Sequence, residues 1–396
     1  MAKIEKPLPN TKTTVDIPGE VEIEEAIQEN VEEVQTDQGP VEIAMDEEGG
    51  AEVSFDPAVA APQGGEDHFA NLAEFLGDDV LDGLGSKLTD DYRDYRNSRK
   101  DWEDSYRDGL GLLGFKYERR TEPFRNASGV THPVLAEAVT QFQATAYKEL
   151  LPADGPVRAQ ILGDVNEAKQ DQAHRVKDFM NYQLMDQMKE YEPEFDQMLF
   201  YLPLAGSTFK KVYYDQLLGR AVSKFIPSDD LVVPYAATSL EDAEAVVHVI
   251  KMSKNDLRKQ QVSGFYLDID LGEPPITENE LEKKEHELEG ISKDKQDDIY
   301  TLIEVHTNLD LEGYEDKGED GEPTGIKLPY VITVDEANFK VLSIRRNYKL
   351  DDPLRNKINY FVHFKFLPGL GFYGFGLIHM IGGLSRTATS ALRQLL

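Results

Sequence analysis

Residues 359–396 constrain the fold of this chain more than any other stretch. From Asn359 to Phe366 aromatic side chains alternate with others, the pattern of a half-buried β-strand. Glycines 369, 371, 374 and 376 follow, and an apolar helical pattern then runs from Leu377 to Leu396. A strand, a glycine turn and a helix in immediate succession leave two options. One is a nucleotide-binding turn and the other is a tight structural joint. Gly369, Gly371 and Gly374 have the G-x-G-x-x-G spacing of a dinucleotide site. Such a site also needs a second parallel strand carrying an acidic residue about twenty positions on. No Asp or Glu follows Asp352, so a close-packed turn is expected, with glycine letting backbones approach. Gly109, Gly111 and Gly114 repeat the spacing after a helical pattern rather than a strand, a weaker match still. The ending, Ala391 to Leu396, has no capping glycine and would leave Leu392, Leu395 and Leu396 exposed. On that ground the chain is expected to be C-terminally truncated.

Charge narrows the partners. The formal net charge is -32 over 396 residues, with 40% apolar and 29% charged residues. That length accommodates two or three domains. The charge argues against a basic nucleic-acid binder, whose affinity comes from Lys and Arg on phosphates, and against docking on an anionic membrane. It remains compatible with DNA that slides past without being gripped. There are no cysteines, which removes disulfides and thiolate metal sites. No apolar run of about twenty residues exists, so no membrane span is expected.

Along the chain, residues 1–66 are acidic, hold no Tyr or Trp and a single Phe, Phe55, and are expected to form a disordered acidic tail. Residues 21–34 carry an amphipathic pattern within it. Leu88 to Tyr106 places Leu88, Tyr92, Tyr95, Trp102 and Tyr106 near helical spacing. A second helix is expected from His132 to Leu151, started by Pro133 and ended by Pro152. Residues 157–162 read as a short strand. Asn166 to Met188 reads as a helix with Val176, Phe179, Met180 and Leu184 facing inward, followed by another from Glu192 to Leu204. Residues 207–214 and 220–226 form a hairpin pattern, 245–251 a strand, and Ser253 a helix cap. Residues 268–298 are a charged insertion or solvated helix. Strands are expected at 300–309, 330–334, 339–346 and 360–366, with the acidic loop 312–322 as a solvated hairpin tip.

No catalytic, cofactor-binding or metal-ligating residue is assigned. A P-loop, an H-E-x-x-H pair and a G-x-S-x-G elbow are all missing from the sequence. The eight histidines lack helical zinc spacing, and Ser207 sits in Gly-Ser-Thr. The paired cations Arg119–Arg120, Lys210–Lys211, Lys283–Lys284 and Arg345–Arg346 are read as partners for neighbouring acidic subunits before phosphates.

Four segments in order carry a resemblance. They are Asp91 to Tyr106; Arg125 to Val139 with Gln141 to Pro152; Leu204 to Tyr213 leading to Ile226–Pro234; and Gly371 to Ile381. Over residues 88–396 the chain resembles the portal, or head-to-tail connector, proteins of short-tailed double-stranded DNA bacteriophages. The resemblance implies an α+β fold with a mainly helical wing-like body and a β-rich stem- and clip-like region. By analogy residues 67–250 are a helical wing-like domain with a β-hairpin. Residues 251–366 hold the stem and clip, with 299–366 the clip candidate, and 367–396 begin a returning wing helix. The implied function is a structural ring, usually a dodecamer, at one capsid vertex of the virion, assembled in the host cytoplasm. It would conduct double-stranded DNA, without sequence preference, during packaging and ejection. The implied partners are further copies of the chain, the terminase large subunit, capsid or scaffold proteins and tail adaptors, with no membrane, cofactor or enzymatic activity. The alternative is another virion or scaffold interaction protein without a DNA channel. A third class, a metal-dependent nuclease or carboxylate hydrolase, would require a convergent acidic cluster.

Overall fold

The computed structural model describes residues 68–117, 124–125, 127–215, 218–275, 279–291, 299–317 and 322–396, together with three short strands nearer the N-terminus. Those strands, β1 (Glu33–Thr36), β2 (Gly39–Met45) and β3 (Ala51–Val53), pair antiparallel in the order β1-β2-β3. The rest of the expected disordered tail, 1–66, lies outside the described residues, as does residue range 21–32 of its amphipathic pattern.

His68–Leu396 form one compact unit. Its frame is a five-stranded antiparallel sheet in the order β10-β9-β8-β7-β6. The strands are β6 (Leu231–Val232), β7 (Ala245–Ser253), β8 (Ile299–Leu309), β9 (Leu328–Asp335) and β10 (Val341–Arg346). Side chains alternate across such a sheet. Ile303 and Val305 of β8 therefore join Val334 and Ile344 against Leu81, Leu88 and Tyr92 of α1 (Asp78–Ser98). Tyr300 and Leu302 face the other way, onto Leu257 of α6 (Lys254–Val262) and Tyr266. Ser253 caps α6 as its sequence foretells, accepting from the Asp256 amide. The β7 strand runs across the 250/251 boundary expected from sequence, so strands on both sides of that boundary share one sheet.

A second antiparallel sheet has the order β11-β4-β5. The expected hairpin is there, β4 (Ser207–Asp215) with β5 (Arg220–Ile226), paired from Phe209–Ile226 to Asp215–Arg220. Its third strand is β11 (Phe361–Lys365), which pairs with β4 and not with β8–β10, its neighbours in the expected clip. The helical part comprises α2 (Lys100–Leu110), α3 (Val134–Leu150), α4 (Glu167–Tyr182), α5 (Tyr191–Ala205), α7 (Glu280–Glu289) and α8 (Leu377–Leu395). Tyr106, Leu110, Leu135, Val139, Leu204, Leu281 and Ile378 bring five of these helices into one core.

Three expectations change. The single helix over 88–106 is two helices broken at Arg99, whose side chain is claimed from elsewhere in the fold. Residues 157–162 form no strand, because no neighbouring strand is available and the Val157 amide donates to Asn181 Oδ1 at 2.9 Å. The helix expected over 166–188 ends in a π turn at Gln183–Gln187, and Val176, Phe179 and Met180 are exposed instead of inward.

Helix α1 meets the β9–β10 turn at Gly85, where a Cβ would overlap the Phe339 carbonyl oxygen; a Cβ at Gly83 meets nothing. Alanine is favoured over glycine within a helix by about 0.5–1 kcal/mol. Gly83→Ala is therefore expected to raise stability by about that amount. Gly85→Ala is expected to lower it despite the same propensity gain, and urea unfolding of the two variants distinguishes the signs.

Candidate functional site

The features that sequence reading singled out converge on one structural joint. Arg99 sits where α1 gives way to α2. Its Nη1 lies 2.8 Å from the Ser228 and Leu231 carbonyl oxygens and 2.8 Å from the Tyr373 hydroxyl. Nη2 donates to the Asp229 carbonyl at 2.5 Å, and Nε to Glu103 at 2.9 Å. The guanidinium also stands over the Trp102 and Tyr373 rings, which stack at 4.8 Å. One side chain thus ties the α1–α2 break, the loop 227–234 and the terminal glycine turn together. Burial works against its charge, but Tyr373 and Glu103 outweigh burial and hold the guanidinium protonated.

The glycine turn is packing, as its missing acidic partner implied. A Cβ at Gly374 would strike the Gly206 and Leu367 carbonyl oxygens, and one at Gly376 the Leu204 carbonyl and Gly206 amide. Gly206 itself has φ 91° and no room for a side chain against Gly374–Gly376. The first glycine motif meets the same region, because Ile378 of α8 fills the space where a Cβ of Gly109 would stand. The described strands pair only antiparallel, so neither motif sits in a parallel βαβ unit. Ser207 belongs to the joint rather than to a nucleophile elbow. Its hydroxyl accepts from the Gly374 amide at 2.7 Å and lies 3.0 Å from His363 Nε2. Burial pushes His363 down to about 4, so the imidazole is neutral there at physiological pH.

Between the two sheets lies a largely enclosed charged cluster, its side chains 9–14% exposed, that sequence reasoning did not assemble. Lys211 Nζ of β4 donates to Glu304 of β8 at 2.5 and 2.7 Å. His306 Nε2 is 2.7 Å from Glu304 Oε1, and His248 Nδ1 is 3.9 Å from it. Burial alone would raise the Glu304 carboxyl; Lys211 and the two imidazoles outweigh it and hold the group well below the usual range. Burial lowers both histidines, so the arrangement is one ion pair flanked by neutral rings. Lys211 and Glu304 lie 93 positions apart along the chain, and no motif spacing could have paired them. Among the described residues no group of three His, Cys, Asp or Glu side chains is placed to hold a metal ion.

A third cluster is acidic. Asp229 and Asp230 of the loop face Glu285 of α7, while Glu282 pairs with Lys251 at 2.7 Å. Burial, then mutual repulsion, pushes Asp230 up to about 7 and Glu285 up to about 8. Asp229 Oδ1 is buried without a hydrogen-bond partner.

Lys210, Lys211, Lys284, Arg345 and Arg346 of the paired cations are engaged within the chain itself. Lys211 holds Glu304; Lys210 is buried over the Tyr191 and Phe195 rings at 4.3 and 4.8 Å. Arg345 caps the Phe69 and Phe265 carbonyls and Arg346 the His68 carbonyl. Lys284 pairs with Glu287 at 3.1 Å. Arg119–Arg120 fall outside the described residues. No helix among the described residues is long and apolar enough to cross a membrane. No protein-family model matches this chain, and no curated protein matches it either.

Removing Glu304 leaves the Lys211 ammonium, only 12% exposed, without its counter-charge. Glu304→Gln is expected to cost about 3–5 kcal/mol of unfolding free energy. The double variant Lys211→Met/Glu304→Leu, which removes both charges, is expected to be more stable than that single variant in the same denaturant titration.

The acidic cluster acts in the opposite pH direction from an ion pair. A carboxyl raised on folding holds its proton longer in the folded chain. Its contribution is therefore greatest below the ordinary value near 4.5 and falls as pH climbs toward about 8. Glu285→Gln is expected to leave stability little changed at pH 4.5 and to raise the thermal midpoint at pH 8.5 relative to the unsubstituted chain, measured by calorimetry.

Proposed function

We propose that this chain is a portal-type structural subunit that assembles into a ring through which double-stranded DNA passes, and that it has no chemistry of its own. One observation carries the reading. The four segments that bear the resemblance, spread along the chain from residue 91 to residue 381, meet in a single joint. Arg99 of the first reaches the carbonyls of Ser228 and Leu231 in the third and the Tyr373 hydroxyl in the fourth. Leu135 and Val139 of the second share a core with Tyr106, Leu204 and Ile378 of the other three. That convergence supports reading the four segments together, as the parts of one structural body.

In this reading the joint is the mechanical centre of a wing-like body, and the β8–β10 strands with their acidic loop are the candidate clip-like part. Further copies of the chain, the terminase large subunit, capsid or scaffold proteins and tail adaptors are its partners at one vertex of the virion. The acidic balance suits a conduit, because a surface that repels the duplex lets it slide, whereas a basic surface would hold it through counterion release.

Electron microscopy of the purified chain is the direct test. Closed rings with a central hole, twelve-fold or close to it, are the expected outcome. Exclusively monomeric particles across protein concentrations and salt conditions would overturn the reading.

A further inference from the structure

Helix α4 buries none of its residues, although its sequence pattern asks for burial. It is held to the body through Asn181, whose side chain accepts from the Val157 amide at 2.9 Å and donates to the Asp154 carbonyl at 3.3 Å. At 3.6 residues per turn Asn181 stands about 140° round the helix from Val176. Val176, Phe179 and Met180 therefore form a stripe beside that attachment, and they are 47%, 58% and 42% exposed. Arg175 and Lys177 lie about 100° to either side of Val176, while Asp171 and Asp178 fall toward the back of the helix. The stripe is thus apolar with a cationic border.

An exposed apolar stripe bordered by cations fits an acidic surface that carries apolar side chains of its own. The chain itself offers one. Around the N-terminal turn of α1, Phe75 and Val80 are 58% and 40% exposed, and Asp78 and Asp79 between them are exposed as well. α1 lies against β9 and β10, whereas α4 is fastened to the 154–157 loop, so the two patches belong to different elements. Complementary patches on different parts of one chain make a head-to-tail contact, which repeats round a ring or along a filament.

We propose that the α4 stripe is an assembly surface whose occupant is the α1 N-terminal turn of a second copy of this chain. Val176, Phe179 and Met180 pack on Phe75 and Val80, while Arg175 and Lys177 meet Asp78 and Asp79. The inference rests on the ring reading for self-association and adds the surface that carries it.

The test uses the full chain in sedimentation and native mass spectrometry. Val176→Asp/Phe179→Asp is expected to be monomeric with an unchanged circular-dichroism spectrum, because about half of each side chain is already exposed in the single chain. Arg175→Glu/Lys177→Glu and Asp78→Lys/Asp79→Lys are each expected to weaken association by roughly tenfold or more, and the quadruple variant carrying both swaps to recover it. Wild-type assembly by Val176→Asp/Phe179→Asp would overturn the α4 surface and leave the ring reading intact. Failure of the quadruple variant to recover would overturn the pairing with α1. A wild-type chain that never associates would overturn both the surface and the ring.

Discussion

The buried guanidinium of Arg99 is the constraint on which the rest of the fold hangs. A charge withdrawn from water is tolerated only where donors and charge are both answered. Here carbonyls from a loop some 130 positions away, a carboxylate one helical turn on and a tyrosine from the terminal segment answer them. Lysine could not take this place, since a point charge lacks the planar fork that reaches several acceptors and stacks on rings. The helix break at residue 99 follows, because the residue that feeds this site leaves helical geometry to do so, at φ -105° and ψ 11°.

Around that charge the fold uses two other kinds of joint. Glycine against glycine, Gly206 with Gly374 and Gly376, lets the start of β4 and the approach to α8 touch backbone to backbone. The Lys211–Glu304 pair with its two histidines links β4 of one sheet to β8 of the other. Each joint is specific in geometry, and each would be damaged by a change of one residue.

Much of this was legible from periodicity. The β4–β5 hairpin, the strands of the central sheet and the Ser253 cap follow from alternation and from local capping chemistry, which depend on neighbours in sequence. The reading of Gly369–Gly374 as packing followed from a chemical deficit, the missing acidic residue. The misreadings share one cause. Val176, Phe179 and Met180 have the spacing of a core face, but a periodic pattern states that a face is to be covered and not by what. The stretch 157–162 has strand-like composition, yet a strand exists only where another edge accepts its hydrogen bonds. The Glu304 cluster was invisible because Lys211 and His248, which meet Glu304 and His306 there, stand on other strands at no fixed spacing from them.

The sequence by itself determined the elements, the acidic balance and the lack of thiol chemistry, since these depend on residue type and short-range periodicity. Only the tertiary structure decided which polar groups would be buried together, because burial depends on chain crossings that no local pattern encodes. Arg99 reads as one of several arginines in an Asp/Arg-rich helix, and Glu304 as one of 74 acidic residues. Packing withdrew both from water, and the cost of leaving them unpaired turned them into the fixed points of the fold.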